Sequence, residues 1–300
     1  MSKCENTERD LESSALEKNE SPAQNKRIAY CGVEGAFAYI AANKIFPEGE
    51  KVSYSSFRKA YEAVERGDCD YAVLPIENSF AGEVGQVMDM IFEGGLYIRG
   101  IYSMPVSQNL LGVPGAKKEN IKKVISHPQA LEQCYHYINE HGFETEQATN
   151  TAQAAMQVSE DGDKTVGAIA SKDTARLYGL EILEESINES NNNTTKFAVM
   201  EKEMSNLFDD SSDKPEVYTL MFTIQNDPGS LSRILMNLGI FGYNMRVIRS
   251  RPLKGQRWRY YFYTEAEGNE TSIGEAMLAG MGRNCEMLKV LGHYTEVEEL

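Results

Sequence analysis

RIAYCGVEGAFAYIAANKIF, residues 27–46, sets a strand, a turn and a helix side by side. Ile28–Cys31 reads as a short strand, Gly32–Gly35 as a turn and Ala36–Phe46 as a helix. The pattern repeats downstream. A strand at Val52–Phe57 precedes a helix at Arg58–Arg66, and a strand at Tyr71–Leu74 runs through a loop at Pro75–Gly82 into a helix at Val84–Phe92. Beyond residue 104 it starts again, with strands at Val124–Ser126, Phe143–Ala148 and Val166–Ala170. Helices at Gln129–Glu140, Ala152–Glu160 and Lys172–Tyr178 alternate with them. Strands alternating with helices across short loops specify an α/β fold with mostly parallel sheets. Two such runs predict two lobes, 27–103 with 184–200 and 104–183, with a cleft between them. Ligands of open α/β sheets collect at the carboxyl ends of the strands.

The two ends differ from this core. Residues 1–26 are polar, mixed in charge and poor in large apolar side chains, the composition of a disordered tail. Residues 201–216 read as an acidic linker. Residues 217–300 then give a strand at Val217–Ile224 and a helix whose face is Leu231, Ile234, Leu235 and Leu238. Strands follow at Tyr243–Ser250 and Trp258–Thr264, then a helix at Ser272–Met281 and a strand at Cys285–Leu291. That order is βαββαβ, the ferredoxin-like α+β pattern, in a separate module.

Composition removes several function classes. A formal charge of −15 argues against nucleic-acid and anionic-membrane partners, which need a basic face. No signal-like or membrane-length apolar run is present. Five cysteines without CxxC spacing and four histidines without HExxH pairing give no disulfide framework and no cysteine- or histidine-ligated metal. A reducing, cytoplasmic setting fits.

Four polar stretches stand out. Glu77–Asn78–Ser79 leaves a strand with a carboxylate, an amide and a hydroxyl, and in isolation is equally a turn satisfied by its own side chains. At Ser126–His127–Pro128–Gln129, Ser126 or His127 can cap a helix that Pro128 opens, leaving N–H groups for an anion. Taken alone, Asn191–Lys196 is a polar loop. In the last module, Gly229–Ser230–Leu231 starts a helix, and Arg249–Ser250–Arg251–Pro252 ends a strand whose charges suit a solvated edge.

Taken in order, these stretches resemble the prephenate dehydratase family with its C-terminal ACT domain. The carriers are GVEGAF (32–37), LPIENSFAGEVG (74–85), SHPQALEQC (126–134), NTAQAA (150–155), AIAS (168–171), INESNNNTTKF (187–197), DPGSL (227–231), SRP (250–252) and WRYYFY (258–263). The resemblance spans about residues 27–291. It implies a periplasmic-binding-protein-like catalytic module over 27–200 with its active site in the inter-lobe cleft. The implied activity converts prephenate to phenylpyruvate, water and carbon dioxide without a cofactor. It also implies phenylalanine as effector and a homodimer or homotetramer. Carried onto this chain, the catalytic strip is Asn193, Thr195 and Lys196, with Thr195 as donor to the departing hydroxide. Substrate contacts fall on Gly35, Glu77, Asn78, Ser79, Ser126, Gln129, Ser171 and Phe197. Effector contacts fall on Gly229, Ser230, Leu231, Arg249, Ser250, Arg251 and Pro252.

The chain departs from the family at four points. Lys196 replaces an arginine expected to clamp a carboxylate with two parallel bonds, so the expectation is activity that survives but is differently tuned. Ala36 and Ala38 stand where a threonine or serine is usual. Arg249 replaces a glutamate and Ser230 an alanine in the effector motifs, which leaves an effector ammonium short of acceptors. Arogenate dehydration, prephenate decarboxylation and a catalytically inactive sensor are the alternatives.

Overall fold

The computed structural model describes residues 26–190, 192–207, 215–268, 271–295 and 299–300. The tail expected at 1–26 lies outside them except for Lys26, as do residues 208–214 of the expected linker.

The first lobe comprises β1 (Arg27–Cys31), α1 (Phe37–Ile45), β2 (Glu50–Tyr54), α2 (Phe57–Arg66), β3 (Tyr71–Asn78), β4 (Gly82–Glu83), α3 (Gly85–Glu93) and β5 (Tyr97–Pro105). The chain then crosses to a second lobe. It holds β6 (Asn109–Gly112), β7 (Lys123–Ser126), α4 (Pro128–Gln133), α5 (Tyr135–His141), β8 (Glu144–Gln147), α6 (Thr151–Asp161), β9 (Val166–Ala170), α7 (Lys172–Tyr178) and β10 (Glu181–Glu184). It returns through β11 (Thr194–Glu201), followed by β12 (Asn206–Leu207). The last module is β13 (Glu216–Thr223), α8 (Ser230–Ile240), β14 (Asn244–Pro252), β15 (Tyr260–Gly268), α9 (Thr271–Gly282) and β16 (Met287–Thr295).

The first sheet runs β2-β1-β3-β11-β5 with β4 beside β3, the second β10-β6-β9-β7-β8, and the third β12-β16-β13-β15-β14. Both lobe sheets are mixed. β11 runs antiparallel to β3 and β5, and β6 antiparallel to β9 and β10.

Several elements depart from the local expectations. Pro75–Asn78 continues strand β3, and β4 folds back onto Glu77 and Asn78. The expected helix Gln129–Glu140 breaks at Cys134, whose backbone (φ −113°, ψ 18°) is not helical. Thr194–Phe197, expected as a polar loop, is the start of β11. Ala198, Val199 and Met200 behind it are buried between two partner strands, and that burial determines the conformation of the polar end. β5 and β6 had no local signal of their own.

The last module lies directly on the first lobe. Val217, Met221, Tyr261, Tyr263, Leu291 and Tyr294 share one apolar cluster with Leu74, Val87, Met88, Ile91 and Ile98. Tyr261 stacks on Phe92 with ring centroids 4.2 Å apart. One sheet face therefore covers α3 and the back of β3 and β11.

Candidate active site

A cleft of about 380 Å³ opens between the lobes. One wall is Asn78, Asn193, Thr195 and Phe197; the other is His127, Gln129, Ala130 and Gln133; Val106 and Gln108 lie at the crossing segment. Among the described residues its lining includes no Lys, Arg, Asp or Glu. His127 caps α4 by accepting from Gln129 N–H at 3.2 Å, and burial pushes its imidazole pKa down, which favours the neutral ring. The cleft is thus uncharged although the chain carries −15. Two helices of useful length begin in it. The start of α1 (Ala36, Phe37, Ala38) has no side-chain cap, and the start of α6 (Thr149, Asn150, Thr151) is capped by Asn150 on Gln153 N–H at 2.8 Å. Helix amino ends carry partial positive charge, so they favour anions without any cationic side chain.

The hydrogen-bond directions of the first wall can be read one after another. Asn78 Oδ1 accepts from Phe80 N–H at 3.0 Å and Ala81 N–H at 2.9 Å, which fixes its amide. Its Nδ2 therefore faces inward, donating to Asn193 Oδ1 at 2.8 Å and Thr195 Oγ1 at 2.9 Å. Asn193 is left with a buried Nδ2 that has no protein acceptor. Thr195, receiving at oxygen, keeps its own hydrogen free to donate. Three polar residues, Asn78 on β3, Thr195 on β11 and Asn193 just before β11, thus become two donors.

Residues 28–205 match the prephenate dehydratase family. The chain belongs to that family. It is 35% identical to arogenate dehydratase/prephenate dehydratase 1, chloroplastic, of Arabidopsis thaliana, over 95% of this chain and 76% of the relative. Among solved structures, a prephenate dehydratase in complex with L-Phe from Arthrobacter aurescens superposes with a TM-score of 0.80 at 28% identity, over 90% of each chain. GqqA, described as a novel type of quorum quenching acylase, superposes at 0.81 and 30% identity, over 91% of this chain and 98% of that one.

With a dehydratase-family chain, the position of each expected residue matters. Asn78, Gln129, Asn193, Thr195 and Phe197 line the cleft. Ser79 lies beside it, bonding Asn192 C=O at 3.1 Å and Thr194 N–H at 2.9 Å. Ser126 is fully buried on Ile169 C=O at 2.6 Å, and Ser171 caps α7. Neither lines the cleft. Gly35 braces the lobes. Its φ is +84°, its carbonyl accepts from Thr174 Oγ1 at 2.9 Å, and an added Cβ would sit 3.0 Å from Leu177. A side chain there would be strained and would push the lobes apart.

Lys196 and Glu77 face away from the cleft. On a strand, successive side chains point to opposite faces, so Thr195 and Phe197 in the cleft put Lys196 behind it. Lys196 Nζ lies 3.9 Å from both Glu77 Oε2 and Glu265 Oε2. It is not placed to clamp a substrate carboxylate. We expect Lys196→Met to change kcat/KM for prephenate by less than about 3-fold, the scale of a partly exposed ion pair. A loss of two orders of magnitude in steady-state assays would contradict this placement.

The same alternation moves two expected effector contacts. Arg249 and Arg251 lie on the inward face of β14, against the first lobe. Arg249 pairs with Glu77, and Arg251 pairs with Glu83 and, at 2.9 Å, with Asp89. Lys254 at 3.0 Å and Tyr261 at 2.8 Å also bond Asp89. Burial alone would raise the Asp89 carboxyl; these hydrogen bonds outweigh it and hold its pKa at about 2. Gly85 lets the Arg251 guanidinium approach, since a Cβ there would lie 2.6 Å from its nitrogens. Ser250 and Pro252 are exposed on the opposite face; Gly229, Ser230 and Leu231 start α8, where Ser230 is buried and bonded to Arg233 at 2.9 Å. Glu77, Lys196, Arg249, Arg251, Ser79, Ser126, Ser171 and Ser230, all expected at the substrate or effector sites, are therefore engaged within the protein. Gln108, Gln133 and Asn150 also line the cleft, and of these only Asn150, in NTAQAA, carries a helix-capping signal in the sequence.

Proposed function

We propose that the chain is a prephenate dehydratase that converts prephenate to phenylpyruvate. The observation that carries this is the pair of aimed donors, Thr195 Oγ1–H and Asn193 Nδ2, in an uncharged cleft bounded by the amino ends of α1 and α6. The bond from the ring carbon to its carboxylate breaks and its electron pair enters the ring. The C–O bond on the far side breaks with its pair going to oxygen. The departing oxygen takes one proton, so prephenate plus H⁺ gives phenylpyruvate, carbon dioxide and water. Aromatisation supplies the driving force; the protein orients the ring and stabilises charge on the oxygen. A threonine hydroxyl is a poor acid but a good fixed donor. The carboxylates are received by the two helix ends and neutral side chains.

The last module is the ACT regulatory domain of this reading, with phenylalanine as effector, in a cytoplasmic homodimer or homotetramer. The pairs from Arg249 and Arg251 to Glu77, Glu83 and Asp89 support regulation. Glu77 lies on the reverse face of β3, the strand that carries Asn78, while Glu83 and Asp89 lie on β4 and α3 next to it. Calorimetric titration with phenylalanine should give a saturable signal that Gly229→Val removes; no signal with wild type sinks this part alone.

Arogenate, which carries an amino group where prephenate has a ketone, is the substrate to compare, because a relative is named for both. Among the described residues no carboxylate lines the cleft to pair an ammonium, which favours prephenate. A higher kcat/KM for arogenate would reverse that choice. Acyl transfer is less well supported. Among the described residues the lining has no serine or cysteine to act as an activated nucleophile.

A further inference from the structure

One buried polar group in the cleft has no part in the account above. Gln108 lies in the crossing segment between the lobes and is 2% exposed. Its backbone is fixed on both sides. The N–H donates to Asn188 Oδ1 at 3.0 Å, and the carbonyl accepts from Ile187 N–H at 2.9 Å. Its side-chain Nε2 donates to Gln133 Oε1 at 3.4 Å, which turns its Oε1 the other way. That oxygen is buried and accepts from no protein donor.

Asn193 Nδ2 is the complementary case, a buried donor without an acceptor, 4% exposed as a residue. The two come from neighbouring segments, because Val106 N–H donates to Asn193 C=O at 2.7 Å. Buried polar groups without partners are costly and rare, and both of these residues line the same cavity. A donor and an acceptor without partners in the lining of one cavity match a hydroxyl, whose oxygen accepts while its hydrogen donates.

We propose that Gln108 Oε1 accepts the hydrogen of the ring hydroxyl of prephenate while Asn193 and Thr195 donate to its oxygen. This rests on the dehydratase reading of the cleft. Holding the hydroxyl by its hydrogen turns its lone pairs toward the two donors, where charge grows as the C–O bond breaks. Phenylpyruvate has no ring hydroxyl. In the product complex both amide groups lose their partner, so Gln108 separates substrate from product.

The test is Gln108→Met, similar in volume but without the acceptor. We expect kcat/KM for prephenate to fall roughly 10- to 100-fold, the effect of leaving one polar group unpaired. The constant for inhibition by phenylpyruvate should stay within about 2-fold, since that ligand has no hydroxyl to lose. Equal losses for both ligands would make Gln108 a structural residue, and no loss for either would remove it from recognition; both outcomes overturn the proposal. Should the variant not fold, wild type suffices. An analogue of prephenate lacking the ring hydroxyl should inhibit at least about 10-fold more weakly than prephenate binds, and equal binding overturns the proposal. Wild type that makes no phenylpyruvate at all would instead sink the dehydratase reading, and this proposal with it.

Discussion

Thr195→Val lowers phenylpyruvate formation by about 100- to 1000-fold, the effect of removing one fixed donor from a developing oxyanion. Valine keeps the branched shape that suits a central strand, so β11 should hold. What disappears is the hydroxyl that receives from Asn78 at 2.9 Å and directs its own hydrogen into the cleft. The loss should appear mainly in kcat, because the hydrogen bond strengthens as negative charge builds on the departing oxygen. Thr195→Ser keeps the donor and should recover most of the rate. A Val variant with raised KM and unchanged kcat would reduce Thr195 to a ground-state contact. Steady-state kinetics of the three proteins decide between these.

Arg251→Met is the second large effect, this time on stability. Its guanidinium lies between Glu83 and Asp89, all three mostly buried. Removing it leaves Glu83 without its partner and Asp89 held only by Lys254 and Tyr261 at the junction of the modules, a loss of about 3 kcal/mol. That corresponds to a melting temperature lower by on the order of 5–10 °C. The pH dependence has a definite sign. Asp89 is held at about 2, below its ordinary value of 3.8. A depressed carboxylate stabilises the fold above its unfolded pKa, and that stability is lost as pH falls from about 4 toward about 2. Arg251→Met should lose part of this acid sensitivity, because one of the three hydrogen bonds that hold Asp89 down is gone while those of Lys254 and Tyr261 remain. Denaturant unfolding at pH 7 and at pH 3 measures both effects; a variant as stable as wild type and equally acid-sensitive would refute the role of this pair.

The alternation of strands and helices in the lobes, and the βαββαβ order at the end, could be read from hydrophobic runs because those elements carry their own periodicity. β5 and β6 could not. Arg99, Gly100 and Ser103 interrupt the apolar pattern of β5, and its conformation is set by pairing with a strand almost 100 residues later in the chain. The same holds for Thr194–Phe197, polar at its start and committed by Ala198–Met200 behind it. Within the site, Asn78, Asn193 and Thr195 were identifiable through their motifs. Which side of the strand each neighbour faces was not. Lys196 and Glu77 look like substrate groups in a linear motif, yet strand alternation turns both toward the last module. Arg249 and Arg251 turn the same way, from an expected effector site to a joint with the catalytic lobe. Gln108 escaped notice because a lone glutamine in a crossing segment carries no local signal; its meaning comes from burial and a missing partner.

The most direct test of the account is product identity. Purified protein is incubated with prephenate at neutral pH beside Thr195→Val, and phenylpyruvate and carbon dioxide are quantified against prephenate consumed. The account predicts equal amounts of phenylpyruvate and carbon dioxide from wild type, formed about 100- to 1000-fold more slowly by the variant. A non-aromatic keto acid, no product from wild type, or a variant as fast as wild type would contradict it.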